Sequence, residues 1–226
     1  MSDKALKTHL NKAKGRSASS VRWLQRQLND PYVQKAQELG LRGRAYFKLE
    51  QMNQKFGFLT PGKYVVDLGC APGGWLQLEV KKTKSSPENP HVIGLDILPT
   101  SPLPGAITIQ MDFTEPQAPD ILIQAMNGHK ADVVLSDMAP NTTGIKSLDH
   151  LKIMGLLEIA LDFAESVLAP GGTFLAKVFQ GGTEQELLTR LKQNFRTVCH
   201  IKPDASRKES SEFYVIARGF QCKNQK

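Results

Sequence analysis

Nine consecutive residues, Asp67-Leu68-Gly69-Cys70-Ala71-Pro72-Gly73-Gly74-Trp75, have the makeup of a loop that receives a small ligand. They follow a short apolar run and precede a helical one. In an open α/β sheet ligands sit beyond the carboxyl ends of the strands, and glycine there lets backbone approach without a Cβ clash. A dinucleotide loop would offer its pyrophosphate several free N–H groups at the helix start. Here Ala71 interrupts the glycine pattern, Pro72 removes one N–H, and Asp67 brings negative charge to the turn. A phosphate-free, positively charged ligand suits this loop, and S-adenosylmethionine, with its sulfonium and ammonium groups, has that chemistry. Asp67, Gly69, Pro72, Gly73 and Trp75 are the expected cofactor-binding residues of this segment.

Three more aspartates fall at the ends of apolar runs. Asp96 lies 23 residues beyond Gly73, near the offset at which an acid takes ribose hydroxyls. Asp112 is placed to accept from an adenine amino group, and Asp137 ends Leu135-Ser136-Asp137. Any one aspartate could be a cap or a turn residue, but four successive strands ending in aspartate point to a site. Lys177 is the other anomaly. It sits within Thr173–Phe179, a run apolar on both faces, where an isolated ammonium would cost several kcal/mol unless paired, deprotonated or placed at the open end of the sheet.

These residues require a frame. Short apolar runs at 64–68, 92–97, 106–111, 132–136, 173–179, 198–202 and 213–217 read as strands, and segments 74–82, 117–127, 148–168 and 183–195 as helices. Near-continuous apolar strands imply burial on both faces, hence a doubly wound α/β domain with a mostly parallel seven-stranded sheet, a Rossmann-like fold. The last two runs are joined by a charged loop without a helix, which predicts antiparallel pairing at one edge. The eight-residue link 98–105 is short for a parallel crossover, and 81–90 reads as an exposed loop. Before the sheet, Val21, Trp23, Leu24 and Leu28 recur at helical spacing; Asn29-Asp30-Pro31 stops that helix and starts another, and a third runs over 45–56 to Gly57.

The whole chain of 226 residues carries a net charge of +7. Residues 1–50 hold eleven Lys/Arg against four acids, whereas residues 51–226 hold 18 of each sign. A basic segment on a neutral body suits a polyanion-binding arm. Residues 1–20 are expected to form a flexible basic arm rather than a secretory or transit signal, and 21–226 a single domain. No stretch is apolar enough to span a membrane. Three dispersed cysteines and five scattered histidines give neither a disulfide framework nor metal-ligand spacing, so no metal is expected and a reducing, cytoplasmic setting is.

The segments DLGCAPGGW, LSDMAP, FLAKVF and SSEFYVIA, with the upstream run ending RGRAYFKL, occur in one order, and from about Ser19 to Gly219 the sequence closely resembles the RrmJ/FtsJ (RlmE) family of ribosomal RNA 2′-O-ribose methyltransferases. The resemblance implies a Lys-Asp-Lys-Glu catalytic tetrad, which falls on Lys48, Asp137, Lys177 and Glu212. It further implies methylation of a ribose 2′-hydroxyl of large-subunit rRNA, at a uridine of the A-loop in the assembled subunit, with rRNA and the large ribosomal subunit as partners and a monomeric enzyme. Lys177 would act as base, oriented by Asp137 and Glu212, with Lys48 holding the ribose or a phosphate. The opposing influences of Lys48 and the two acids leave the direction of the Lys177 pKa open. RNA contact is expected from Arg22, Arg26, Lys35, Arg42 and Arg44; Trp23 and Tyr46 could stack on bases, but their apolar neighbours favour core packing. A tRNA or cap methyltransferase, and a non-catalytic RNA-binding assembly factor, are the alternative readings.

Overall fold

A computed structural model describes residues 17–139, 144–179 and 185–221. The predicted arm up to residue 16 lies outside the described residues, as do Pro140 and the start of the helix expected at 183. Three helices come first: α1 (Ala18–Leu28), α2 (Pro31–Glu38) and α3 (Ala45–Phe56). The α1 helix takes in residues 18–20, which the sequence reading gave to the arm, because the Ser17 hydroxyl accepts from Ser20 N–H and caps it. The carboxylate of Asp30 caps α2 through Tyr32 N–H, with Pro31 in the first turn where no N–H is needed. Gly57, at φ +65°, closes α3 in a left-handed conformation.

The sheet follows as β1 (Val65–Leu68), β2 (Val92–Asp96), β3 (Ala106–Gln110), β4 (Ala131–Ser136), β5 (Leu168–Phe179), β6 (Phe195–Ile201) and β7 (Glu212–Phe220), in the order β3-β2-β1-β4-β5-β7-β6. Helices α4 (Gly74–Thr83), α5 (Ala118–Ala125), α6 (Lys146–Val167) and α7 (Gln185–Asn194) lie between strands. Strands β3 to β5 pair in parallel, while β7 runs antiparallel to both β5 and β6. The antiparallel strand therefore lies one place inside the edge, inserted between β5 and β6. The short β2–β3 link does form a parallel crossover, without a helix, against the expectation from its length.

One apolar layer packs Val66, Ile93, Val134, Phe174 and Val215 under α5, α6 and α7; the other packs Val65, Val133, Leu175 and Ile216 under α3 and α4. Alternation along β5 puts Lys177 on the second face with Leu175, and α3 covers that face. The segment 81–90 is not wholly an exposed loop. Thr83 and Ser85 are buried, Ser85 Oγ donating to Gly105 O and accepting from His91 N–H, because this turn closes the amino ends of the strands.

Candidate active site

Register builds most of the site. Lys177 lies directly across from Tyr214 on β7, and Phe179 across from Glu212, so Lys177, Tyr214 and Glu212 share one face of the sheet. Asp137 follows β4, its N–H donating to Leu68 O, which seats it beside the end of β1. Lys48 enters from α3. The Lys177 ammonium is 2.9 Å from Asp137 Oδ1, 2.8 Å from the Asp137 carbonyl and 3.9 Å from Glu212 Oε1. Lys48 Nζ is 3.1 Å from Glu212 Oε2 and 3.3 Å from the Tyr214 hydroxyl, which itself donates to Asp137 Oδ1 at 2.8 Å. The four residues aligned with the tetrad thus form one network, closed by a fifth, Tyr214, that sequence reasoning missed. Tyr214 stands two residues beyond Glu212, and the period-two rhythm of a strand was the available signal.

The electrostatics follow from opposite charges held out of water. Burial pushes the Lys177 ammonium down, but Asp137 and Glu212 outweigh it and leave the pKa above the ordinary lysine value. Burial likewise pushes Asp137 and Glu212 up, and the two lysines more than reverse this, so both carboxylates fall below their usual range. For Tyr214, burial and then the neighbouring Asp137 and Glu212 raise the phenol well above its normal value, so it stays a donor. Two cations and two anions balance at the site. Removing one partner of such a buried pair costs about 3–5 kcal/mol.

The expected cofactor loop follows β1, with Gly69 at φ +84° and Gly73 at φ +100°. A Cβ at Gly69 would lie 2.8 Å from Met138 N and 2.9 Å from its Cα, so glycine is what lets this loop pass the segment carrying Asp137. Asp96 orders the same region, accepting from Ala71 N–H and Leu98 N–H, each at 2.8 Å. Asp112 stands at the end of the neighbouring strand, held below the usual carboxylate range first by Thr114 N–H and then by its hydroxyl. These two carboxylates keep further lone pairs for hydroxyl or amino donors. With glycines where backbone approaches and Pro72 lacking an N–H, the residues fit S-adenosylmethionine.

Two residues of the loop reading take other places. Asp67 is fully buried against Glu79 of α4, and burial, then Asp137, raise its pKa well above the ordinary range. Glu79 is equally buried and shifted the same way. Asp67 is therefore not an open anion facing a ligand. The Trp75 indole is also buried, its N–H donating to Ala45 O at 2.9 Å and its ring 5.8 Å from that of Tyr214, so the side chain packs in the core and does not face the loop.

Of the residues expected to meet RNA, Arg22 and Arg26 lie on α1 with side chains outside the described set, as does that of Trp23. Lys35 is exposed on α2, its ammonium 4.9 Å from the Phe47 ring centre. Arg42 and Arg44 are instead engaged within the chain. The Arg42 guanidinium donates to Ser101 O and Pro102 O, both at 2.8 Å; Arg44 pairs with Asp30 at 3.2 Å and donates to Ala205 O. Tyr46 is core, packed edge-on against Phe47. A cleft of about 340 Å³ opens beside the network, lined by Arg44 and Lys48 on one side and by Arg207, Glu209, Ser210 and Glu212 on the other. Arg207 lies on the charged loop between β6 and β7.

Residues 41–220 match the family model described as FtsJ-like methyltransferase. The chain belongs to the FtsJ-like methyltransferase family. A curated relative from Novosphingobium aromaticivorans, named ribosomal RNA large subunit methyltransferase E, is 56% identical over 220 residues, covering 97% of each chain. A crystal structure from Plasmodium falciparum, described as a ribosomal RNA methyltransferase, superposes with a TM-score of 0.70 at 30% identity over 79% of this chain and 98% of that one. The same fold, at 14% identity and a TM-score of 0.52 over 80% of this chain and 48% of the other, occurs in the MycE methyltransferase, solved with Mg, S-adenosylhomocysteine (SAH) and mycinamycin VI. Among the described residues of this FtsJ-like methyltransferase, no group of three or more His, Cys, Asp or Glu could hold a metal, and no helix is long and apolar enough to cross a membrane.

Proposed function

We propose that the protein methylates a ribose 2′-hydroxyl of large-subunit rRNA, using S-adenosylmethionine, with a uridine of the A-loop in the assembled subunit as target. The observation that carries this reading is the network of Lys48, Asp137, Lys177 and Glu212, joined through Tyr214 and opening on a cleft with basic groups on both sides. The name of the Novosphingobium relative supports the rRNA substrate, and SAH in the MycE structure supports the cofactor. Asp96, Asp112 and the backbone of residues 69–75 would hold the cofactor. When bound, it supplies an electrophilic methyl on a sulfonium that leaves as a neutral thioether.

The protein's own tasks are alignment and proton removal, and alignment alone is worth about 7–11 kcal/mol in favourable cases. Lys48, held by Glu212 and Tyr214, faces the cleft and positions the ribose or an adjacent phosphate. Asp137 fixes Lys177 through both its carboxylate and its carbonyl. The deprotonated fraction of Lys177 takes the 2′-hydroxyl proton. That fraction is small, because the acids hold the resting side chain as an ammonium.

The test supplies labelled S-adenosylmethionine with naked rRNA, large subunits or tRNA in separate reactions, then maps 2′-O-methyl nucleotides. Label at one uridine of the large subunit is the expected result. Label on tRNA alone would replace the substrate, and label on none would turn the reading to a binding protein.

A further inference from the structure

Arg42 was expected among the RNA contacts, yet its bonds point inward. Its guanidinium donates to the carbonyls of Ser101 and Pro102 and, more distantly at 3.5 Å, to that of Pro72. Its backbone N–H donates to the side chain of Gln77 on α4 at 2.8 Å. One residue thus touches the glycine loop, the helix that follows it and the helix-free link after β2. Gly73 is shaped around this contact, because a Cβ there would lie 2.5 Å from Arg42 Nη1. Immediately downstream, Trp75 donates to Ala45 O, and a Cβ at Gly74 would come within 3.4 Å of Tyr46 N. The amino ends of α3 and α4 are therefore locked together, and α3 carries Lys48.

We propose that Arg42 is a positioning residue that sets the cofactor loop and the Lys48 helix in one register, so that cofactor affinity and placement of the ribose-binding lysine depend on a single guanidinium fork. The proposal rests on the S-adenosylmethionine reading. A lysine has a single nitrogen where arginine presents two in a fixed fork, so it would not reproduce the spread of contacts to the carbonyls of Ser101, Pro102 and Pro72, though it would serve as well as arginine as a point charge against phosphate. The two roles therefore separate at Arg42→Lys.

The experiment uses the full chain as wild type, Arg42→Lys and Arg42→Ala. Isothermal titration with SAH gives cofactor affinity without RNA. RNA affinity against salt counts phosphate contacts, and hydrogen exchange follows residues 69–75 and 98–103. Both variants are expected to bind SAH about ten-fold more weakly, the loss that one charge-assisted hydrogen bond accounts for. Exchange should rise in both segments while the RNA salt slope is unchanged. Thermal melting identifies a variant that has simply unfolded, and Arg42→Lys, which keeps the charge and most of the stem, then carries the test. Wild-type SAH affinity in Arg42→Lys would overturn the proposal, as would a reduced salt slope in Arg42→Ala with cofactor affinity intact. Failure of the wild type to bind SAH would instead refute the cofactor reading.

Discussion

Glu212→Gln separates a base from a charge clamp at Lys177. In the resting site, Asp137 Oδ1 and the Asp137 carbonyl lie 2.9 and 2.8 Å from the ammonium, and Glu212 stands 3.9 Å away as a second anion. An ordinary lysine at pH 7.5 is an amine in about one molecule per thousand, and the raised pKa of Lys177 makes that fraction smaller. If this amine takes the proton, log rate must climb with pH at a slope near one. Glutamine at 212 removes one of the two anions. At the 3.9 Å separation, Coulomb's law with an effective dielectric between 20 and 80 assigns that anion about 1–4 kcal/mol, or roughly one to three pK units. The plateau of the pH–rate profile should therefore move down by that amount. Its height will also fall because Lys48 loses its partner, so the inflection is the informative quantity. Single-turnover methyl transfer at saturating cofactor and RNA, from pH 6 to pH 10, isolates the chemical step. The wild-type log rate should climb at unit slope to the top of that range, since the raised Lys177 pKa lies above it, while Glu212→Gln should bend toward a plateau. A flat wild-type profile, or a Glu212→Gln profile as steep as the wild type throughout, would refute proton abstraction by Lys177 and leave it an electrostatic clamp.

Tyr214→Phe removes only the hydroxyl that donates to Asp137 and accepts from Lys48; single-turnover rate should fall about ten-fold and stability by about 1–3 kcal/mol, with SAH affinity unchanged, and a wild-type rate would contradict the bridging role. Gly69→Ala places a methyl against Met138 backbone in a left-handed conformation, so a loss of about 2–4 kcal/mol in urea unfolding is expected, with weaker cofactor binding; an unperturbed midpoint would count against the close approach. Asp137 and Glu212 have depressed folded pKa values, so the stability they contribute is present above their unfolded values near ~4 and is lost as pH falls through the lower folded ones. Urea midpoints should accordingly drop below about pH 4, and less steeply once Lys177 is replaced by Met. Asp67 and Glu79 have raised folded values, so their cost grows as pH climbs from ~4 toward those values; Glu79→Gln should raise the urea midpoint at pH 7.5 more than at pH 5, whereas a lower midpoint at pH 7.5 would show the pair to be stabilising.

The strands were legible because their apolar runs are bounded by turns, and Gly57 and Asn29-Asp30-Pro31 marked helix ends by the backbone chemistry those residues enforce. The lysine in β5 was legible as an anomaly, since an unpaired ammonium cannot rest in such a strand. Insertion of β7 between β5 and β6 was not, because a β6–β7 hairpin is antiparallel whichever of its strands lies at the edge, and strand patterning alone does not say which does. The fates of Arg42 and Arg44 were hidden for a related reason. Their acceptors are carbonyls at Ser101, Pro102 and Ala205, and a backbone carbonyl leaves no mark in composition. Counting charge toward an RNA surface therefore overcounts every arginine that holds a distant loop.

Asp67 and Asp137 show how far residue type falls short of chemistry. Both stand at the carboxyl ends of adjacent parallel strands, and the N–H of Asp137 donates to the residue after Asp67. Asp137 meets two lysines and is held ionised, while burial, and after it the Asp137 charge, drive Asp67 toward the protonated form. The ionised network thus helps to neutralise its neighbour. Keeping a proton on the buried Asp67–Glu79 pair limits the negative charge beside Asp137, whose own carboxylate, with that of Glu212, holds the Lys177 ammonium.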